Sequence, residues 1–449
     1  MAPLSELPAA TAGGDELPFL RTAVPGPTSR RATERLERVE CPAFGQRRRD
    51  RQEKSGAEMA PIVLGWGKGS NLVDVDGNRF VDLCAGFGSV LLGHGDKAVA
   101  RAIEGQSERL MQGLGDVYGS DAKVALLERL SQLHPAPGAQ VLLAQSGSDA
   151  VTAAIKTAVL ATGRPGVLAF EGAYHGLGYG PLPACGLRES YRAPFAAQLS
   201  PHVRFAPYPR GEGDLDRALD AVEAALRLGE VGAVLVEPVL GRGGCVVPPD
   251  AFLPRLCEIA HRHGALVVAD EIWTGLGRAG SPLRSLAIGA KVDVLCLGKG
   301  LGGGLPISAC IAGPDVMGAW ARGGEVVHTS THAGAPLACA VALATLEAVR
   351  SRKLPDRARE VGARVIATLR EDLRDVDAVV EVRGVGLMIG IELATPELGL
   401  AAMRGLLESG FVTITGGARG EVLTLTPALT ISEELFSAVG PALRRVIGA

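Results

Sequence analysis

The lysine at position 299 carries the clearest chemical signal in this sequence. Lys299 follows an apolar run, residues 292–297, that has the length and composition of a β-strand. A second such run, residues 265–269, ends on the carboxylate of Asp270. Both charges therefore fall at predicted strand ends, where open α/β sheets build their binding sites. A lysine amine with a nearby carboxylate is suited to Schiff-base chemistry with pyridoxal phosphate (PLP), because the lysine binds the aldehyde and the carboxylate keeps the pyridine nitrogen protonated.

The surroundings of these two residues support that chemistry. Asp270 could instead cap a helix or pair with a basic side chain. An acid that ends an all-apolar strand is unfavourable unless it is paired, so a buried pyridinium is the favoured partner of Asp270. Lys299 needs a lowered pKa to act as a nucleophile and to move protons, and burial beside a cationic ring would supply it.

A second candidate group is the short segment Ser146-Gly147-Ser148. It follows a predicted strand at residues 141–144 and opens a predicted helix near Asp149. Backbone N–H groups at a helix N-terminus, together with a hydroxyl, can bind a phosphate. The alternative is an ordinary serine cap with Asp149 at capping-box spacing. The lysine and the aspartate in the same chain favour the phosphate site, and a cap and a phosphate site can coexist.

The ordered motifs of this chain resemble those of the class III (ornithine/4-aminobutyrate type) aminotransferases, which have PLP fold type I. The strongest match is Asp270-Glu-Ile-Trp-Thr-Gly-Leu-Gly-Arg-Ala-Gly280 followed by Gly298-Lys299-Gly300. The resemblance runs from about Pro61 to the C-terminus. It also includes Gly67–Gly77, Gly93-His94, Ser146–Ala150, Tyr174-His175-Gly176, Glu237-Pro238, Thr331 and Arg383–Gly390.

The resemblance implies roles for further residues. Tyr174 stacks on the pyridine ring, although a buried core tyrosine is the alternative. His175 adjoins Tyr174 at the cofactor and is either a contact or a structural residue. Glu237 lies near the substrate amine, with a strand-end cap as its alternative. Thr331 reaches the phosphate of the neighbouring subunit's cofactor, which implies at least a homodimer with active sites shared across the interface.

The chain departs from the family pattern at positions that bear on substrate recognition. Trp273 stands where a glutamine often contacts the phenolic oxygen of the ring, and tryptophan has no acceptor. Arg242 stands in a loop that often reads Gln-Gly-Glu-Gly-Gly. Thr424 stands where many members carry an arginine for a substrate carboxylate, so that bidentate clamp is missing. Arg242 either replaces it or is an exposed loop arginine.

Hydrophobic periodicity predicts an α/β fold. Predicted strands and helices alternate, which favours a large domain with a mostly parallel central sheet flanked by helices, plus a smaller α+β C-terminal domain. We predict a flexible arm at residues 1–30, and a segment with a helix and a hairpin at residues 31–90 that packs with the small domain. The large PLP-binding domain is predicted at residues 91–330, and the small domain at residues 331–449.

Composition narrows the class of partner and compartment. The formal net charge is −3, which argues against nucleic acid or an anionic membrane as the main partner. The arginines of residues 31–55 alternate with glutamates, which favours a solvated helix over a nucleic-acid patch. No apolar run reaches membrane-spanning length, and no secretory signal is visible. The cysteines show neither disulfide nor metal-ligand spacing, so we expect reduced thiols, a cytoplasmic protein and no metal site. They stand at positions 41, 84, 185, 245, 257, 296, 310 and 339.

Three functions remain open at this stage. The leading one is a PLP-dependent aminotransferase that moves an amino group from an amine or ω-amino acid to a 2-oxo acid through a Lys299 Schiff base. The second keeps the same PLP site but acts as an aminomutase, a racemase or an epimerase. The third is a non-catalytic scaffold or a PLP-binding regulatory module. The presence of both Lys299 and Asp270 argues against the third.

Overall fold

The structure is a computed structural model that describes residues 13–448. Within this range the strands are β1 Leu64–Lys68, β2 Asn71–Asp74, β3 Arg79–Asp82, β4 Gln140–Ala144, β5 Gly166–Phe170, β6 Val203–Ala206, β7 Val231–Val236, β8 Leu266–Asp270, β9 Val294–Leu297, β10 Ser308–Ala312, β11 Val379–Val385, β12 Met388–Leu393, β13 Phe411–Val412, β14 Ile414–Gly416 and β15 Val422–Leu425.

The helices of the same range connect and cover these strands. They are α1 Pro27–Glu37, α2 Pro42–Ser55, α3 Ala85–Gly88, α4 Lys97–Ser107, α5 Asp121–Ser131, α6 Gly147–Thr162, α7 Glu212–Leu226, α8 Phe252–Arg262, α9 Arg284–Ala287, α10 Pro314–Met317, α11 Pro336–Ser351, α12 Leu354–Asp372, α13 Pro396–Glu408, α14 Glu433–Ser437 and α15 Val439–Val446. The contacts divide the chain into a central unit, residues 97–358, and a terminal unit, residues 13–96 with 359–448.

The central unit is built on a mostly parallel sheet, as the sequence predicts. The strand order is β4-β10-β9-β8-β7-β5-β6. Strand β10 is antiparallel to both of its neighbours, β4 and β9, so it is the one reversed strand of this sheet. Strands β9, β8, β7, β5 and β6 pair in parallel. The carboxyl ends of β4, β5, β7, β8 and β9 therefore lie at the same edge of the sheet.

Helix α6 fixes one side of that edge. Its buried face is made of small residues, including Ala150, Ala154 and Ala158, and it packs across strands of the central sheet. These alanines share a hydrophobic core with Cys296 and Cys310 of the adjacent strands. Small side chains allow a helix to approach a sheet closely. The N-terminus of α6 is therefore held next to the ends of the strands, directly after β4.

The terminal unit joins both ends of the chain. One sheet has the order β1-β2-β3-β13, in which β13 pairs in parallel with β3. The second sheet has the order β11-β12-β15-β14 and is antiparallel. Arg404 of α13 is buried and donates to the carbonyl oxygens of Ala60, at 3.0 Å, and Val24. These bonds tie residues before the first hairpin to a helix near the C-terminus.

The structure differs from the predicted arm at residues 1–30. Residues 1–12 lie outside the described residues. Residues 13–30 are bound to the hairpin, because Phe19 exchanges two backbone hydrogen bonds with Arg79, at 2.8 and 3.0 Å. Leu20 packs on a buried cluster that contains Leu72 and Phe80. Proline at the first position of α1 then starts a helix at Pro27, within the same stretch.

The compact units also differ from the predicted boundaries at residues 90/91 and 330/331. Helix α11 lies in the central unit, because it packs against α4, α5 and the short 3₁₀ turn Lys299–Gly302. The unit boundary after it falls between residues 358 and 359. The elements that α11 packs against are decided by tertiary contacts and not by the local sequence.

The charged N-terminal segment forms the two helices α1 and α2, which agrees with the predicted helix. Arg48 pairs with Glu37 at 3.3 Å and with Glu40 at 3.1 Å, while Arg30 pairs with Glu58. The interspersed glutamates thus neutralise part of the basic charge. Among residues 13–448, no helix is both long enough and apolar enough to cross a membrane. All eight cysteines are free thiols, and only Cys41 is exposed.

Candidate active site

A cavity of about 340 Å³ opens at the carboxyl edge of the central sheet. Predicted site residues from five separate strand ends line it, namely Gly147, Ser148, Tyr174, His175, Glu237, Asp270, Trp273 and Lys299. The structure thus brings together residues that are far apart in the sequence. Two predicted site residues do not line this cavity in the single chain: Ser146 and Thr331.

Lys299 lies on a strained turn at the end of β9. Its φ angle is +42°, in the left-handed region that residues other than glycine rarely adopt. Such strain is maintained at functional positions by the surrounding structure. The Lys299 Nζ lies 4.3 Å from the centroid of the Trp273 ring. Burial lowers the pKa of Lys299 to about 8, although the negative charges of Asp270 and Glu237 oppose this shift.

Asp270 is held by a buried histidine. The Nδ1–H of His175 donates to Asp270 Oδ2 at 2.7 Å, and the backbone N–H of Ile272 donates to Oδ1 at 3.1 Å. The side chains of His175 and Asp270 are both buried. The carboxylate is therefore fixed in orientation. His175 Nε2 is buried and has no hydrogen-bond partner among the described residues.

Glu237 is buried directly after β7. One oxygen accepts the backbone N–H of Tyr174 at 2.8 Å, and the other accepts that of Gly241 at 2.9 Å. Burial raises the pKa of Glu237 to about 7, and the positive charge of His175 acts against that shift. A carboxyl group with this pKa changes charge near neutral pH, within the cavity that holds Lys299.

The start of α6 forms a polar cradle. Ser146 is the N-cap, and its hydroxyl accepts the N–H of Asp149 at 3.2 Å, so the serine-cap alternative holds for this residue. The first N–H groups of a helix have no intrahelical acceptor, which leaves those of Gly147 and Ser148 at the cavity wall. Ser148 Oγ accepts the N–H of Gly178 at 3.0 Å. At Gly176, with φ +110°, a Cβ would lie 2.6 Å from Ser148 Oγ, so only glycine fits there.

The polar groups of the cavity match the parts of PLP. An amine with a lowered pKa can bond to an aldehyde, a fixed anion can pair with a pyridinium, and the N-terminus of α6 can bind a phosphate. Trp273 Nε1 is a second buried polar atom without a partner among the described residues, besides His175 Nε2. Unpaired buried polar atoms at a site call for a ligand. Across residues 13–448, no cluster of side chains has the makeup of a metal site.

Thr331 lies away from the cavity in the single chain. Its side chain is exposed, and its carbonyl oxygen accepts from Gln112 Nε2 at 2.7 Å. The segment that carries Gln112 exposes large apolar side chains, including Leu114 at 62% and Tyr118 at 70%. Exposed apolar patches on a protein often mark a site of interaction with another molecule.

One further charged residue acts on the site, although the sequence motifs do not assign it a role. Arg278 is almost fully buried, at 1% exposure. Its positive charge contributes, after burial, to the lowered pKa of Lys299. The sequence could have indicated this role, because Arg278 is the one charged residue of the Gly-Leu-Gly-Arg-Ala-Gly segment after Asp270. Charged side chains are rarely buried without a partner.

Comparisons with known proteins agree with this site. The model of the family "Aminotransferase class-III" matches residues 53–447. An acetylornithine aminotransferase of Methanothermobacter thermautotrophicus is 35% identical, over 86% of this chain and 94% of the relative. An alanine/serine racemase of Pyrococcus horikoshii is 30% identical, over 96% of this chain and 93% of the relative. The ornithine aminotransferase of Toxoplasma gondii, solved with PLP at partial occupancy, superimposes with a TM-score of 0.78 at 30% identity, covering 86% of this chain and 90% of that chain.

The fold and the site define a PLP-dependent enzyme of fold type I. Within that class, the chain belongs to the class III aminotransferase family, as the extent of the family match and the identity to its relatives show. The predicted fold class, the predicted cofactor and the predicted enzyme class are therefore confirmed. The protein is a PLP-dependent aminotransferase.

Proposed function

We propose that Lys299 binds the PLP aldehyde and that Asp270 pairs with the pyridine nitrogen, during transfer of an amino group from an amine or ω-amino acid to a 2-oxo acid. The observation that carries the proposal is that Lys299 and Asp270 line one cavity, with the pKa of Lys299 lowered by burial to about 8. The bond from His175 supports the role of Asp270, since it holds the carboxylate in place at 2.7 Å.

The protein's own groups hold and move the protons. Bound PLP supplies a reactive aldehyde carbon and a ring that withdraws electrons from the carbon bearing the amino group. With a pKa of about 8, Lys299 is neutral in roughly a tenth of the molecules at pH 7. In that neutral form Lys299 would hold the aldehyde group of the cofactor, and its Nζ could take up a proton. Glu237 has a pKa of about 7, and its anionic form can attract the ammonium group of an incoming donor.

The remaining walls of the cavity orient the cofactor. The free N–H groups of Gly147 and Ser148, with the Ser148 hydroxyl, would hold the phosphate at the start of α6. Tyr174 and Trp273 provide aromatic surface beside the lysine. Ser146 acts on this site through its cap of α6, which fixes the direction of those N–H groups.

We further propose a homodimer in which Thr331 reaches the phosphate in the neighbouring subunit. Thr331 is exposed and outside the cavity of its own chain, and it is hydrogen-bonded to a segment that exposes Leu114 and Tyr118. A second copy would bury this apolar surface and bring Thr331 to a cavity. Cytoplasmic location is part of the proposal, because eight free thiols are typical of a reducing compartment.

The test is a screen of amine donors with pyruvate and 2-oxoglutarate as acceptors. We expect at least one donor to yield alanine or glutamate, and Lys299→Ala to abolish the transfer. Transfer that persists in Lys299→Ala, or no transfer with any donor, would contradict the proposal.

A second candidate function is racemisation, which the alanine/serine racemase of P. horikoshii favours through its 30% identity. The discriminating measurement is incubation of the holoenzyme with L-alanine or L-serine without any oxo acid. Formation of the D-enantiomer at a rate matching the best transamination rate would favour racemisation. Amino transfer that depends on the added oxo acid would favour transamination.

A further inference from the structure

Arg242 is carried by a closed loop that begins directly after Glu237. Leu240 and Val246 exchange two backbone hydrogen bonds, at 3.0 and 3.2 Å, which bring the two ends of the loop together. The N–H of Gly241 is bound by the Glu237 carboxylate at 2.9 Å. At Gly243 a Cβ would lie 2.6 Å from the carbonyl oxygen of Gly172, so this loop packs backbone to backbone against the segment that leads to Tyr174. The position of Arg242 is thus fixed by the fold.

The guanidinium of Arg242 lies beside the cavity. Its central carbon is 6.0 Å from the centroid of the Tyr174 ring, and Tyr174 lines the cavity. Burial is the main cause of the lowered pKa of Lys299, and the charge of Arg242 contributes in the same direction. The side chain is half-buried. It therefore lies at the edge of the site and is not the fully exposed loop arginine of the sequence alternative.

Arg242 has no anionic partner within the part of the chain that the structure describes. The carboxylates of Glu237 and Asp270, which line the cavity, are hydrogen-bonded to other groups. Glu237 accepts two backbone N–H groups, and Asp270 accepts from His175 and Ile272. Among the described residues, the guanidinium contacts the face of the Tyr174 ring, and its N–H fork remains available. A planar fork of donors matches a carboxylate, which it can bind through two parallel hydrogen bonds.

We infer that Arg242 binds the carboxylate of the substrate, both of the amino donor and of the 2-oxo acid acceptor. The inference rests on the proposed function and narrows its donor class to amino acids, as opposed to simple amines. Glu237 and Arg242 then supply opposite charges to the site, the first for the ammonium group and the second for the carboxylate. A donor with a second ammonium group at the carboxylate's place would meet the like charge of Arg242, so such donors are disfavoured.

The experiment isolates the donor half of the reaction. The PLP-loaded enzyme is mixed with a donor and no acceptor, and the change in the visible absorbance of the bound cofactor gives the apparent Kd and the rate. The donors are ω-amino acids from glycine to 6-aminohexanoate, each compared with its amide, which keeps the length and loses the charge. The proteins are the wild type, Arg242→Gln, Arg242→Lys and the control Arg192→Gln. Arg192 also stacks on an aromatic ring, that of Phe205 at 4.6 Å, but lies outside the cavity.

We expect Arg242→Gln to raise the apparent Kd of the preferred amino acid about 10- to 100-fold, as for loss of a charge-assisted hydrogen bond. The Kd of the matching amide should change less than about threefold. The Kd of the amino acid for Arg242→Lys should lie between those of the wild type and Arg242→Gln, because an ammonium group keeps the charge but cannot form two parallel hydrogen bonds. Arg192→Gln should match the wild type.

Equal effects of Arg242→Gln on acid and amide, or no effect on either, would overturn the inference. A second measurement keeps it separate from the proposed function. Straight-chain carboxylates without an amino group, from acetate to hexanoate, are titrated into the PLP-loaded proteins. Binding that perturbs the cofactor spectrum in the wild type and is weakened in Arg242→Gln supports the inference even if no donor reacts. Failure of every donor to react with Lys299 intact counts against the proposed function instead.

Discussion

His175 Nδ1–H donates a hydrogen bond of 2.7 Å to Asp270 Oδ2, and both of these buried side chains line the cavity. Asp270 ends β8, while His175 follows β5, so the pair forms only when the sheet is assembled. The bond holds the carboxylate in one orientation, from which it can pair with a pyridinium. The catalytic role that we propose for Asp270 therefore depends on a residue 95 positions away in the chain.

Asp270→Asn keeps the volume of the side chain and removes its charge. We expect the variant to retain PLP and to lose turnover by about a hundredfold or more, since fixed charges aimed at the reacting group supply much of the rate enhancement of enzymes. Absorbance of bound PLP and kcat check this. Asp293→Asn is the matched control, because Asp293 accepts from His261 Nε2 at 2.9 Å outside the cavity. Near-normal turnover in Asp270→Asn would refute the role.

Lys299 should be the residue that captures PLP, with a rate that depends on pH. Only the neutral amine attacks an aldehyde, so the capture rate of the apoenzyme should rise about tenfold per pH unit below its pKa of about 8 and level off above it. An ordinary lysine would continue to gain rate up to about pH 10. Borohydride reduction and peptide mapping identify the modified residue. A pyridoxyl group on another lysine, or a rate that still rises at about pH 9.5, is the contrary result.

Trp273 should raise the pKa of Lys299. Its ring face lies 4.3 Å from Nζ and favours the charged ammonium through a cation–π interaction. Trp273→Leu keeps an apolar wall but removes that interaction, so the midpoint of the capture profile should shift to lower pH by about half a unit to one unit. Trp66→Leu, in strand β1 of the terminal unit, is the control. An unchanged or higher midpoint in Trp273→Leu would show that the indole does not stabilise the ammonium.

Glu237 should impose a pH dependence on donor binding. Its pKa is raised by burial to about 7, so it is mostly neutral below that pH and anionic above it. The anion attracts the donor's ammonium group, and kcat/KM should therefore rise as the pH increases from about 6 to about 8. Glu237→Gln stays neutral throughout and should lack this rise. A rise that is identical in Glu237→Gln would assign the titration to another group.

Thr331→Ala should weaken PLP retention in the dimer without unfolding the chain. The expected change is an increase of about 10- to 100-fold in the Kd for PLP, as for loss of one hydrogen bond to a charged group. Dialysis against PLP-free buffer with circular dichroism checks both points. Thr329→Ala serves as the control, because Thr329 Oγ1 lies 3.3 Å from Asp116 Oδ2 in its own chain. A fully active monomer in sedimentation would contradict the shared site.

The chemistry and the family could be predicted from the sequence because they depend on local patterns. Lys299 and Asp270 each follow an apolar run whose length and β-branched composition are consistent with a buried strand. The glycine-rich segments mark loops in the same way. The local pattern does not reveal that β10, residues 308–312, runs opposite to its neighbours, because an apolar strand can pair in either direction. Residues 379–393 form two strands, β11 and β12, because Gly386 turns the chain between them at φ +58°.

The sequence by itself determined which residue types stand at the strand ends, and hence the PLP chemistry and the class III family. Only the tertiary structure decided which of them meet. It paired His175 with Asp270, used the Ser146 hydroxyl as a helix cap, and left Thr331 outside its own cavity. It also fixed Arg242 beside Tyr174, where the sequence left an exposed alternative open. The physical reason is that strand order, helix packing and burial set distances and pKa values, and these arise from contacts between segments that lie far apart in the chain.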